Sequence, residues 1–407
     1  MTQHKYDIVI FGASSFVGEI LCQYLSKNRE EPALRWAIAG RSAAKLEAVK
    51  AKLNKADLDI IIADAADEES LRALCAQTSV VTTTVGPYAL YGEPLVKVCA
   101  ETGTDYCDLT GEAPWIRQMI ERYDATAKAS GARIVNCCGF DSIPSDLGVY
   151  YTQQQSQDLF GENCNDVSMR VKAAKGGFSG GTFASLINVM KEASNNPALR
   201  KELSDPYSLC VHETETTKAR QINTGLAQFD KLSDSWTIPF IMAAINTRVV
   251  HRTNALLKEA YAKPFLYDEA MMVGKGFGGR LRAGAMGGGL AGFVVTATLK
   301  PGRWFLSKVL PSPGEGPSPT DQENGFYDLI FYGKTASGKK LQCRVTGDKD
   351  PGYGSTAKML GQASICLARD IDKTQVGGGL LTPASCFGNA LIERLKSYSG
   401  LTFSIIE

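Results

Sequence analysis

The residues best suited to chemistry stand near the start of this sequence. Ile8-Val9-Ile10-Phe11 is a short run of strand-forming residues, followed by Gly12-Ala13-Ser14-Ser15-Phe16-Val17-Gly18 and a stretch of helical periodicity. A strand, a turn of small residues and a helix start aim backbone N–H groups at one point, the arrangement that holds a pyrophosphate. Gly12 permits the tight turn, and Gly18 lets the helix pack close to the strand. The usual middle glycine is replaced by Ser15, whose hydroxyl is expected to donate to a phosphate. Residues 12–18 are therefore the predicted pyrophosphate site, since the turn opens a run of βαβ units.

The second strand selects the nucleotide. An NAD site places Asp or Glu near its end to accept from the ribose 2′-hydroxyl. Here the chain reads Ala39-Gly40-Arg41-Ser42, with Lys45 one helical turn on and no carboxylate before Glu47. A guanidinium makes a bidentate contact with a 2′-phosphate, and Ser42 adds a hydroxyl. The expected cofactor is NADP(H). Asp64, after Ile60–Ala63, is placed to meet the adenine amine, and Val85-Gly86-Pro87 to lie under the nicotinamide-side ribose.

Candidates for the reaction itself are fewer. Tyr88 follows the fourth strand, at the carboxyl edge where α/β sheets bind ligands. Its phenol could polarise a carbonyl or donate a proton, or its ring could close the turn. Asp141 and Ser142, in Gly139-Phe140-Asp141-Ser142-Ile143-Pro144, either orient substrate at a domain crevice or cap the helix that Pro144 begins. Asp108 and Glu112 read as hydrogen-bonding residues of a βα loop. The glycine-rich bend Lys175–Thr182 reads as a turn, with an anion site on its amides as the alternative. Gly274–Gly279 resembles a second dinucleotide turn, but no convincing strand before it or amphipathic helix after it is legible.

These residues need a scaffold, and the first 140 residues supply one. Strand-like runs at 6–11, 34–39, 58–63, 80–85, 105–108 and 133–137 alternate with helical runs at 17–27, 43–53, 68–77, 94–102 and 115–129. This alternation predicts an α/β fold: a doubly wound parallel sheet of Rossmann type. After Gly148 the pattern changes to a second, α+β domain. Its expected strands lie at 166–173, 207–211, 328–332 and 340–345, and its helices at 182–193, 238–246 and 255–262. Ser355–Arg369 and Pro383–Ser397 are predicted helices and Leu401–Ile406 a terminal strand. The domains are expected at 1–148, 149–350 and 351–407.

The chain has 407 residues and a formal net charge of +1, which excludes the electrostatic footprint of a nucleic-acid binder. The polar start Met1–Asp7 is not read as a signal peptide, so a cytoplasmic protein is expected. Eleven scattered cysteines without a CxxC spacing, and three histidines, predict no metal site. One segment stands apart. Ala283–Leu299 carries no charge, and Arg280, Arg282, Lys300 and Arg303 flank it. It reads as a buried strand and turn or a lid. A peripheral membrane contact through residues 283–306 is the alternative, and a true span of ~20 residues is a third. A homodimer also stays open.

Eight segments in order resemble a known family: 12–18, 39–42, 86–88, 106–112, 139–146, 175–182, 352–358 and 377–383. The sequence resembles the saccharopine dehydrogenase-like oxidoreductases, and most closely their trans-acting enoyl reductase branch. Residues 195–270 match poorly. The resemblance implies a Rossmann domain, a central α/β domain, C-terminal helices returning to the first, and NADPH-dependent reduction of a C=C bond in a hydrophobic acyl substrate of lipid metabolism. The alternatives are saccharopine-type carbon–nitrogen chemistry on an amino-acid adduct, or a non-catalytic NADP(H)-binding protein at a lipid surface.

Overall fold

The computed structural model describes residues 4–27, 30, 32–176, 196–212, 219–222, 224–309 and 316–406. The chain divides into two compact units, Met1–Ile143 with Tyr353–Ser399, and Pro144–Gly352 with Gly400–Glu407.

In the first unit, β-branched runs become strands and the amphipathic stretches between them become helices. The order is β1 (Tyr6–Phe11), α1 (Phe16–Ser26), β2 (Trp36–Gly40), α2 (Ala43–Leu53), β3 (Asp59–Ile62), α3 (Glu68–Cys75), β4 (Thr78–Thr83), α4 (Tyr88–Tyr91), α5 (Glu93–Thr102), β5 (Asp105–Cys107), α6 (Ala113–Ser130) and β6 (Arg133–Val135). The sheet is parallel throughout and runs β6-β5-β4-β1-β2-β3, with the late strand Gly379–Leu381 added beside β6. Strand order reverses between β1 and β4, and ligands of such sheets bind outside the carboxyl ends at that switch. Ile8, Val9, Ile10, Val80, Val81, Ile134 and Val135 are buried, the near-continuous apolar pattern of a sheet covered on both faces.

The helices Thr356–Arg369 and Pro383–Tyr398 belong to this unit. Thr356–Arg369 packs on β1, β4 and β5 through an almost wholly buried face that includes Leu360, Ala363 and Leu367. Arginines tie the returning segment down. Arg133 pairs with Asp105 and also donates to the Leu367 and Ile371 carbonyls at 2.9 and 2.6 Å. Arg369 reaches Asp7 at 3.0 Å, and Arg394 bridges Glu30, Asp370 and Gln362. All eleven cysteines are free and buried.

The second unit has a mixed sheet of β7 (Cys164–Lys175), β8 (Gln228–Asp230), β9 (Ser235–Pro239), β10 (Leu266–Gly274), β11 (Phe326–Thr335) and β12 (Lys340–Gly347). α7 (Ile143–Phe160) leads into it. The terminal strand Thr402–Ile405 pairs with β12, so residues 351–407 do not all return to the first unit: the last few complete the second sheet.

Several expectations change here. The helix expected at 238–246 is β9 followed by a helix Ala243–Leu256, and the strand expected at 207–211 is a turn. The helix expected at 255–262 is only the end of that helix and a turn. A strand, β10, does precede Gly274–Gly279, and a 23-residue helix, Gly276–Thr298, follows. The uncharged run is therefore helical, not a strand and turn. Its glycines explain the choice. A Cβ at Gly279 would overlap the Gly274 carbonyl, and one at Gly287 the Leu226 carbonyl. Side-chain-free positions thus let the helix lie directly on backbone. Residues 177–182 of the glycine-rich bend, and the helix expected at 182–193, lie outside the described residues.

Candidate nucleotide and active site

The turn after β1 is built by glycine sterics. Gly12 has φ +88°, and a Cβ there would stand 2.8 Å from Val85 Cγ2 and 2.9 Å from Thr84 Oγ1. The turn is thereby wedged against the chain leaving β4. A Cβ at Gly18 would overlap the Gly12 carbonyl oxygen, so α1 can start this close only with glycine there. Gly12 and Ala13 donate to the Ala39 carbonyl of β2, at 2.9 and 3.3 Å.

Ser15 caps α1, accepting from Gly18 N at 3.0 Å. Its Oγ lies 2.8 Å from Thr84 Oγ1, and Thr84 gives its own hydrogen to the Gly12 carbonyl at 2.9 Å. Ser15 is therefore the donor to Thr84, and its hydrogen is not available to a phosphate as expected. The first-turn N–H groups of α1, Phe16 and Val17 among them, and the helix dipole remain as groups that could hold an anion. Thr84 escaped the sequence reading. The signal was there in principle, a hydroxyl at the end of the strand that neighbours β1 across the switch point.

The second strand ends as the specificity argument requires. Arg41 and Lys45 are exposed and, among the described residues, neither has an ion-pair partner. Ser42 caps α2 by accepting from Lys45 N at 3.4 Å, which leaves its hydrogen free to donate. Asp64 closes the turn after β3 with one carboxylate oxygen, accepting from Ala66 N at 3.0 Å. Two unpaired cations and no carboxylate at the end of β2 fit a ribose 2′-phosphate. Arg41→Ala should therefore weaken NADPH at least about tenfold and leave NADH nearly unchanged, by fluorescence titration of both nucleotides. Equal wild-type affinity for both would refute this assignment.

Beyond the carboxyl ends of β4, β5 and β6 the structure gathers Tyr88, Asp108, Glu112 and Asp141. Tyr88 is buried, its ring 5.5 Å from that of Trp115, and its hydroxyl donates to the Thr83 carbonyl at 3.1 Å. Burial, then the charge of Asp108, pushes its phenol well above the ordinary tyrosine range. Its proton is thus both committed and hard to release. Glu112 accepts from the N–H groups of Tyr88 and Ala89 at 3.0 and 2.8 Å, serving the orphan donors of α4. Asp108 accepts from Thr110 N, Cys137 N, Tyr106 Oη and Asn136 Nδ2. Burial nonetheless pushes its carboxyl up to about 6. Both are loop-holding residues.

Asp141 differs. The residue is partly buried, its carboxyl lies beside Gly111 (a Cβ there would be 3.5 Å from Asp141 Oδ2), and it has no hydrogen-bond partner among the described residues. Loss of hydration pushes its carboxyl up to about 6, with no donor among the described residues to bring it back. Ser142, next to it, is buried, and its N–H donates to the Gly139 carbonyl at 3.2 Å. Thr356 Oγ1 accepts from Phe140 N at 3.0 Å, so the returning C-terminal helix holds this turn. That contact spans more than two hundred residues and is invisible to local sequence reading.

Comparison with known proteins agrees with this geometry. Residues 8–135 match the family described as the saccharopine dehydrogenase NADP binding domain. The chain is 41% identical, over 97% of its length and 96% of the relative's, to a Mycobacterium tuberculosis protein provisionally named a trans-acting enoyl reductase. It is 36% identical to the trans-acting enoyl reductase of Mycobacterium ulcerans, again over 97% and 96% of the two chains. Among solved structures, apo saccharopine dehydrogenase (L-Glu forming) from Saccharomyces cerevisiae shares the fold, with a TM-score of 0.53 and 14% identity, covering 99% of this chain and 100% of that one. The chain belongs to the saccharopine dehydrogenase-like, NADP(H)-binding oxidoreductases, in the branch that contains the trans-acting enoyl reductases.

Proposed function

We propose that the protein reduces the carbon–carbon double bond of an enoyl thioester on a hydrophobic acyl chain, with Asp141 as the acid. The observation that carries this is Asp141, a partly buried residue at the carboxyl edge of the sheet, whose carboxyl has no hydrogen-bond partner among the described residues and is held up to about 6. NADPH, when bound, supplies a hydride. The saturated product also needs a proton at the α-carbon, and a carboxylic acid with its pKa near the working pH is suited to give it. Gly12–Gly18 and the first turn of α1 hold the pyrophosphate, Arg41, Ser42 and Lys45 the 2′-phosphate, and Asp64 the adenine. Val85, Gly86 and Pro87 support the ribose. Tyr88 positions the chain below them through Thr83, and Ser142 holds the turn that presents Asp141.

The relatives' names support the acyl substrate. The buried arginines of the second unit argue against an amino-acid adduct, which would need cations to meet its carboxylates. Arg170 is paired with Asp230 and Asp268 at 2.8 and 2.7 Å. Arg248 donates to Ser208 and to the Ala244 and Leu203 carbonyls, and Arg252 to the Leu209 carbonyl. A non-catalytic role rests on the lack of a legible acid, and Asp141 offers one. The test is loss of NADPH absorbance with α,β-unsaturated acyl thioesters of increasing chain length, against an α-keto acid with an amino-acid partner. Turnover is expected with the thioesters and should improve with chain length. Turnover with the keto acid and amine alone, or none with any thioester, would overturn the reading.

A further inference from the structure

The helix Gly276–Thr298 presents an unusual surface. Helices that are apolar all round are ordinarily buried. Of its residues only Gly279, Ala283, Gly287 and Ala297 are buried, the first three a stripe at four-residue spacing laid on the second unit's sheet. At 3.6 residues per turn, the opposite side carries Phe277, Leu281, Val295 and Leu299 just beyond the last turn, with Gly288 and Gly292 between them. These side chains are 74, 59, 58 and 54% exposed. Trp304, on the following helix Lys300–Val309, is 63% exposed. Exposed apolar side chains aligned along one side of a helix mark a contact with another body.

Charge decides which body. From Ala270 to Gly314 the chain holds six of its 44 lysines and arginines and none of its 43 aspartates and glutamates. Arg280 and Arg282 fall on the two flanks of the apolar side, each about 100° from its centre, where a long cationic side chain can lie along the helix and reach past it. Neither has an ion-pair partner among the described residues, nor have Arg303 and Lys308. A second copy of the chain would bring these cations against cations, with no carboxylate in the segment to pair them. No helix among the described residues is long and apolar enough to cross a membrane. We infer that residues 276–308 lie in the plane of an anionic lipid surface, with Phe277, Leu281, Val295, Leu299 and Trp304 entering the head-group boundary and the arginines meeting lipid phosphates. This surface is independent of the reductase reading.

The experiment is co-sedimentation of the full chain with vesicles of phosphatidylcholine alone or with roughly a third phosphatidylglycerol, at low and high salt. Binding to the anionic vesicles should exceed binding to the neutral ones at least about tenfold and weaken with salt. Leu281→Asp with Val295→Asp should abolish it. Arg280→Gln with Arg282→Gln should lower it about thirtyfold. NADPH affinity, read on the same preparations, should stay at the wild-type value and so certify folding. Failure of the wild type to bind anionic vesicles would overturn the inference. So would binding that the two-aspartate variant retains, or sedimentation velocity showing a wild-type dimer that this variant dissociates.

Discussion

Asp141→Asn is expected to lower turnover of an enoyl thioester by about 10²–10³-fold while leaving NADPH affinity within about twofold of wild type, the loss typical of a positioned acid. Tyr88→Phe, by contrast, should cost less than about fivefold in turnover, because its hydroxyl serves the Thr83 carbonyl rather than an open site. The pH profile of the wild type carries the same signature. An acid titrating at about 6 should give kcat/KM that is level below that pH and falls tenfold per unit above it. The asparagine variant should show a flat residual rate.

Stability should move the opposite way. The folded protein holds the Asp141 proton more tightly than the unfolded chain does. That contribution is fully present below the ordinary aspartate value near 3.8 and is lost as pH rises through about 6. At neutral pH the wild type therefore keeps an ionised carboxylate without a donor among the described residues, and Asp141→Asn should stabilise it by about 1–2 kcal/mol. At pH 4 the gain should vanish. Thermal melts at pH 4 and pH 7.5 read both. A variant that loses activity and stability together would mean that Asp141 holds the fold rather than the proton.

Arg133→Ala should produce the largest loss of stability. Arg133 and Asp105 are both buried, and Arg133 also serves two carbonyls of the returning segment. Removing it leaves Asp105 with only the backbone N–H of residue 133, at 2.8 Å, and the half-exposed Lys373, at 3.2 Å, as partners. A buried charge stripped of its partner costs about 3–5 kcal/mol. Urea denaturation followed by far-ultraviolet circular dichroism should show that loss. Arg133→Met with Asp105→Leu should recover at least half of it, since no charge is then left buried. A double variant as unstable as the single one would place the cost in the lost carbonyl contacts.

The first unit was legible because its signals are steric and periodic. Gly12 and Gly18 stand where a Cβ would collide, and βαβ alternation at short spacing admits few folds. Arg41 was legible for a similar reason, since its place follows from the end of β2. Side-chain direction was not legible. Whether Tyr88 faces a ligand or the Thr83 carbonyl depends on Trp115 and Leu109, which the fold brings in from other elements. The Ser15 hydroxyl hydrogen is likewise drawn to Thr84, which arrives from β4, rather than left for a ligand. The helix Gly276–Thr298 was misread because it lacks the signals a helix normally shows. Glycine weakens helix propensity, and a run without charge has no polar face to set a period.

The return of residues 353–399 to the first unit has a consequence for biosynthesis. β6 leaves the ribosome by residue 135, but the helix that covers β1, β4 and β5 and the strand beside β6 follow only by residue 381. At ~5–20 residues per second, the half-built sheet waits roughly 12–50 s with one face uncovered and one edge unpaired. Both are templates for misassociation. The nascent chain is thus exposed to chaperones, and to its own neighbours on a polysome, for most of its synthesis.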